Sequence, residues 1–250
     1  MSFIVRSILA IMFVVGGIVS PVQAQEKSAR MPGFAMKPGA LIVLVRPAIL
    51  VGAQSTAGMF EPDADWTERA RVNLGKALDD AGRRLGNAVR DYGEPVGSDA
   101  VALAEYRALF DTVAASVLEY QFFRGNRLLT KRRKDQFDWG LGPQVGALPG
   151  FAGADYALFV TTEDHFGSTG RKILQVVAGL ARMPVVVGVH KGFAGLVDLR
   201  AGAVVWLNAD LQMGGDVRDP QGAEKRVREL LAGFPGLPAG TAMPAETTVH

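Results

Sequence analysis

The chain contains no cysteine. That absence excludes disulfides, thiolate catalysis, thiolate-ligated zinc and a lipid anchor on an amino-terminal cysteine. Charge of one sign is also lacking: 27 Lys and Arg against 25 Asp and Glu leave a net +2. A balance that small gives no reason to expect a nucleic-acid partner. No Gly-x-Ser-x-Gly elbow and no Walker A motif is present, so neither a serine hydrolase nor a P-loop enzyme is indicated. After residue 24 no apolar run approaches the roughly 20 residues that a transmembrane helix needs. What remains is the composition of a packed protein, 48% hydrophobic and 21% charged. A chain of 250 residues buries roughly 70% of its unfolded surface and needs no covalent staple.

The amino terminus has the pattern of a secretory signal. Arg6 supplies the positive region, Ile8 to Val19 the apolar core, Pro21 a break, and Val22-Gln23-Ala24 a small-residue cleavage site. Export with cleavage between Ala24 and Gln25, to the periplasm or beyond the cell, is therefore expected. Residues 1–24 are then a signal peptide, 25–35 a flexible lead-in, 36–234 a single α/β domain, and 235–250 a disordered tail rich in Pro, Gly, Ala and Thr.

Within the domain, Ala40 to Val45 is a short β-rich run typical of a buried strand, and Ala48 to Gly52 resumes extended character. Pro47 between them cannot donate to a ladder and marks an edge, bulge or break. Ser55 to Pro62 is read as a loop. Over 63–91, Trp66, Ala70, Leu74, Ala77, Leu78, Ala81, Leu85, Ala88 and Val89 recur at helical spacing, which predicts one long helix with Asp65 and Glu68 as a capping-box-like start and Gly93 as its stop. A second helix, 99–122, has Ser98 as candidate cap and Leu103, Tyr106, Phe110, Val113, Val117 and Tyr120 as its stripe. The Gly93 to Ser98 turn would make the two helices an antiparallel pair. Pro149 interrupts a short helix near 142–153, Asp155 to Thr161 is a buried strand, and a helix follows to about Ala181. Asp219 and Pro220 open the last helix, whose apolar side is Val227, Leu230 and Leu231.

The hairpin at 192–210 organises this reading. Phe193, Leu196, Val197 and Leu199 lead into Arg200-Ala201-Gly202, and Val204, Val205, Trp206 and Leu207 lead out. Continuous apolar runs on both arms predict a pair with both faces covered and Trp206 in the core. The fold expected is a mixed β-sheet carrying this carboxyl-half hairpin, with helices packed on both faces.

Three places hold polar residues in patterns suited to chemistry. Between a strand and a helix, Glu163 to Lys172 presents His165, Ser168, Thr169, Arg171 and Lys172, which could offer amides and cations to an anion; small residues there also serve simply to cap the helix. His165 and His190, with Asp198 or Asp216, could meet if their strand ends are adjacent. The basic run Lys131 to Lys134, followed by Phe137 and Trp139, could meet phosphates, or be a solvated loop with its aromatics tucked inward. Asp216, Arg218 and Asp219 fit capping and local charge pairing. No catalytic set, metal site or cofactor motif is read from the sequence.

Two stretches resemble a known group. Gly153-Ala154-Asp155-Tyr156 entering a strand, followed by the hairpin from Gly195 through Leu196-Val197-Asp198 and Ala201-Gly202 to Trp206, is similar to the curli-secretion lipoproteins, their secretion-accessory relatives and the TolB amino-terminal domain. The resemblance spans about 153–232. It implies the group's α/β fold, with residues 40–47 as first strand, and an accessory role in the envelope with protein partners or self-assembly. The chain departs from the group in lacking the lipobox cysteine, in having Ala201 where Thr is usual, and in the basic 124–140 segment. The function expected is a non-enzymatic exported envelope protein, accessory to secretion, assembly or envelope maintenance. The alternative is a periplasmic small-ligand or phosphate-binding protein built on the Glu163–Lys172 turn.

Overall fold

A computed structural model describes residues 28–85, 87–126, 136–180 and 188–236. The expected signal peptide, the basic run at 131–134 and the tail from 237 lie outside the described residues. The strands are β1 (Ser28–Arg30), β2 (Leu41–Leu44), β3 (Ala48–Gln54), β4 (Phe60–Pro62), β5 (Ala88–Asp91), β6 (Tyr156–Gly167), β7 (Gly188–Asp198) and β8 (Ala203–Asp210). The helices are α1 (Ala64–Gly82), α2 (Ser98–Val117), α3 (Thr169–Leu180) and α4 (Pro220–Leu230). The strands form one mixed sheet in the order β1-β8-β7-β6-β2-β5, with β3 also on β6 and β4 beyond it. This is the expected α/β domain with helices on both faces.

β6 is the spine. It pairs antiparallel with β7 along most of its length and parallel with both β2 and β3. Between Leu44, opposite Leu158, and Ala48, opposite Thr161, the β2–β3 edge advances four residues while β6 advances three. The extra residue makes a bulge at Val45-Arg46-Pro47, a place where Pro47 can lack an amide hydrogen at no cost to the ladder. Alternation then sorts the core. Tyr156, Leu158 and Val160 face α1 and α4 with Ile42, Leu74 and Leu230; Ala157 and Phe159 face α2 with Val43, Phe110 and Val117.

Several expectations need correction. The first helix ends at Gly82, not near residue 91, and Ala88 to Asp91 form a parallel strand on β2. Leu85 and Val89 keep the helical phase, but a free β2 edge offers hydrogen bonds to a strand at 88–91. Leu85 before it stays buried, and Val89 within it packs partly buried against the core. Its cap is Asp63, which accepts from the Trp66 amide at 2.9 Å, rather than Asp65. α2 starts after Gly97, whose φ is +60°, and Ser98 makes no cap. α1 and α2 do not pair: β5 lies between them in the chain and they cover opposite faces. A π-turn at Leu118–Phe122 advances the stripe by one residue, so Leu118 and Phe122 are buried and Tyr120 is exposed. The expected 55–62 loop contains β4, and Ser28–Arg30, placed in the lead-in, is an edge strand on β8.

The hairpin is as expected. Gly202 has φ +67°, and a Cβ there would lie 2.0 Å from the Gly142 carbonyl oxygen, so only glycine fits the turn against its neighbour. Asp198 closes the turn by accepting from the Arg200 and Ala201 amides, each at 2.9 Å. Trp206 is 1% exposed and meets Phe234 edge-on at 5.2 Å. The outer side of β8 is covered by β1, by the Met31 amide on the Val205 carbonyl, and by the Val204 amide on Trp139. Phe137 beside it is buried.

Candidate functional site

The polar residues gather on the distal half of β6 and β7, where the inward alternation changes from apolar to charged. Thr162, Asp164 and Phe166 continue the row begun by Tyr156, Leu158 and Val160, so they face α4. Asp164 is wholly buried. Its Oδ1 accepts from His190 Nδ1 and Arg226 Nη2, both at 2.7 Å; its Oδ2 accepts from Arg226 Nη1 at 2.8 Å and from Thr162 Oγ1 at 3.1 Å. Arg226, also wholly buried, donates Nε to the Gly214 carbonyl at 2.9 Å and Nη2 to that of Gly215 at 3.1 Å. Burial pushes the Asp164 carboxyl up, but hydrogen bonds from His190 and Arg226 and their charges outweigh it and hold it below the usual carboxylate value. The carboxylate is stapled to α4 and to the loop after β8.

A second pair flanks the first. Arg218 grips Asp216 through Nε and Nη2 while its guanidinium lies 3.6 Å over the Phe166 ring and 4.4 Å from that of Trp66. Burial raises the Asp216 carboxyl, and Arg218 and the His190 charge more than offset it, so it too lies low. The sequence expectation of local pairing for Asp216 and Arg218 matches this geometry, and Asp219 caps α4 through the Gly222 amide at 2.7 Å.

The opposite face carries different chemistry. Glu163 joins His165 Nε2 and Lys191 Nζ, each at 2.7 Å, and His165 stacks on Phe60 at 4.0 Å. Gly52 makes room for that stack, since a Cβ there would lie 2.6 Å from the Phe60 ring. Beside it, Thr161 donates to Asp111 at 2.6 Å; burial pushes the Asp111 carboxyl up against that bond and the Arg107 charge. His165 and His190 therefore do not converge: they occupy opposite faces of adjacent strands, as the pairing of Asp164 with His190 requires.

The residues of the 163–172 stretch are dispersed. His165 is in β6, not in a turn, because β6 runs to Gly167. Ser168 Oγ accepts from the Arg171 amide at 3.3 Å, and the Ser168 carbonyl accepts from Lys172. Arg171 is buried and donates Nη1 to the Ser55 carbonyl at 3.3 Å; Thr169 and Lys172 are exposed. Among the described residues no group of three His, Asp or Glu side chains is placed to hold a metal.

Arg226 and Thr162 escaped the sequence reading, though a signal existed. Ala223, Arg226, Val227 and Leu230 stand at helical spacing, so Arg226 sits inside the apolar stripe of α4. A cation in such a stripe calls for a buried carboxylate.

No protein-family model matches the chain, and no curated protein does. Among solved structures it is similar to a PelC dodecamer from Paraburkholderia phytofirmans, at 15% identity, 84% of this chain, 96% of that one and a TM-score of 0.35. A second crystal form of the PelC dodecamer gives 14% identity, 82% and 93% coverage and 0.31. Lipoprotein GNA1162 from Neisseria meningitidis gives 19% identity, 68% and 78% coverage and 0.26.

Proposed function

We propose that the protein is a non-enzymatic exported envelope protein, accessory to secretion, assembly or envelope maintenance, acting through protein partners or self-association. One observation supports the non-enzymatic part above others. The buried charged cluster on β6 is spent on architecture: both Asp164 oxygens accept bonds, and every nitrogen of Arg226 donates. A buried carboxylate bound in this way holds α4 to the sheet. Export is supported by the Arg6, Ile8 to Val19 and Val22-Gln23-Ala24 pattern. None of the described helices is long and apolar enough to cross a membrane.

The test joins address to partners. Protein recovered from the periplasmic fraction is expected to begin at Gln25 on amino-terminal sequencing, and cross-linking in intact cells followed by capture is expected to give a discrete envelope complex or homo-oligomer. Retention in the cytoplasm with Met1 intact would refute export. Exported protein that cross-links to nothing would refute the accessory role.

A further inference from the structure

The part of the sheet that neither cluster explains is the carboxyl end of β2. β2 has β5 on one side and β6 on the other, both parallel to it. Beyond the Val45-Arg46-Pro47 bulge the chain continues as β3 along β6, whereas β5 ends at Asp91 and its chain passes to α2, on the face opposite α1. Among the described residues the bulge therefore has no strand pairing on the side where β5 lies. Arg46 follows β2 at this place, Glu94 follows β5, and Arg107 reaches in from α2.

The two arginines keep unspent donor capacity. Arg107 Nη2 donates to the Arg46 carbonyl at 2.6 Å, its one hydrogen bond among the described residues, while its Nε is buried with no partner. Arg46 itself pairs with Glu94, whose side chain is 70% exposed. A pair that open to water is weak and readily displaced. Asp111, one turn beyond Arg107, is engaged by Thr161.

We propose that Arg46 and Arg107, at the bulge beyond the end of β5, form a binding site for an oxyanion: the phosphoryl or carboxylate group of a small ligand. A guanidinium presents its donors as a planar fork that fits such a group, and the stranded Nε–H of Arg107 supplies the donor a ligand oxygen would satisfy. Burial and the neighbouring Arg46 charge depress the Arg107 guanidinium against the pull of Asp111, and a bound anion offsets the repulsion between the two arginines. The site is separate from the Glu163–Lys172 turn and does not depend on export or partners.

The test is an NMR titration of the purified protein, following the arginine Nε–H signals, with inorganic phosphate and sodium acetate as probes and sodium chloride as the ionic-strength control. The Arg107 signal, assigned by its loss in Arg107→Lys, is expected to shift saturably with phosphate, acetate or both. A response to phosphate alone identifies a phosphoryl ligand, and a response to acetate identifies a carboxylate. Arg46→Gln, on the surface, is expected to weaken the affinity about tenfold, the worth of one charge-assisted hydrogen bond; Lys172→Ala is expected to leave it unchanged. No saturable shift with either probe, or an undiminished one in Arg46→Gln, would overturn the site. Loss of the shift in Lys172→Ala would also overturn it, by moving the anion to the turn.

Discussion

Glu163 and Asp164 are neighbours in the chain with the same chemistry and opposite situations. One step along β6 turns the side chain to the other face of the sheet. Asp164 meets α4 and is wholly buried, with three side chains bonding its two oxygens. Glu163 stays at the margin of the α2 face, where it shares its oxygens between His165 and Lys191 in contact with water. The same contrast runs through the two cores. The α2 face is closed by aromatics, with Phe110 stacked on Phe159 at 5.1 Å and Phe151 against Tyr92. The α4 face ends in a buried carboxylate that Arg226, His190 and Thr162 together satisfy. A carboxylate's worth is thus set by what covers it: a buried one without its partner is a large penalty, an exposed one a small contribution.

The largest effect expected from breaking this comparison is on the buried side. Arg226→Ala leaves Asp164 uncompensated and should lower stability by about 3–5 kcal/mol in urea denaturation. Combining it with Asp164→Leu should recover most of that loss. An additive double variant would mean that the pair does not act as one unit. Trp206→Ala serves as the apolar reference on the same face. Emptying the space of a side chain 1% exposed should cost about 3–5 kcal/mol as well, and no second substitution at Asp164 should rescue it.

Acid titration sharpens the contrast at smaller scale. The Asp164 carboxyl titrates below its unfolded value, so its contribution is fully present above the ordinary carboxylate range and is lost as pH falls through the folded value. Wild type should therefore lose stability on acidification in a component that Asp164→Asn lacks. Glu163→Gln should change stability by only about 0–1 kcal/mol at neutral pH and leave the acid component in place. Equal acid curves for wild type and Asp164→Asn would show that the buried pair does not govern acid unfolding.

Legibility from the sequence followed the range of the interaction. The hairpin was readable because Gly202, Asp198 and the apolar arms carry its turn and its burial within a dozen residues. The last helix was readable from Asp219 and Pro220, which act within its first turn. The first helix was readable at its start and wrong at its end, since Leu85 and Val89 suit either a helix stripe or a strand row, and the edge of β2 chose the strand. The pairing of α1 with α2 was misjudged for a related reason: a short connection implies neighbours unless a strand is hidden in it. For the candidate site, the polar residues themselves were named in the case of His165, Glu163, His190, Asp216 and Arg218, but their grouping was not. The strand extension to Gly167 placed consecutive residues on opposite faces and parted what a turn would have gathered.

By itself the sequence determined the class of the protein: a packed α/β domain without disulfides, its hairpin, the burial of Trp206, and the helix at 220–230. Those follow from local conformational preference and from periodicity, which act over a few residues. Only the tertiary structure decided that Arg226 crosses to Asp164, that Ala88 to Asp91 join β2, and that Arg107 of α2 reaches the Arg46 carbonyl. Each is a contact between segments far apart in the chain, where the burial of a charge or the demand of an unpaired strand edge outweighs anything the local sequence prefers.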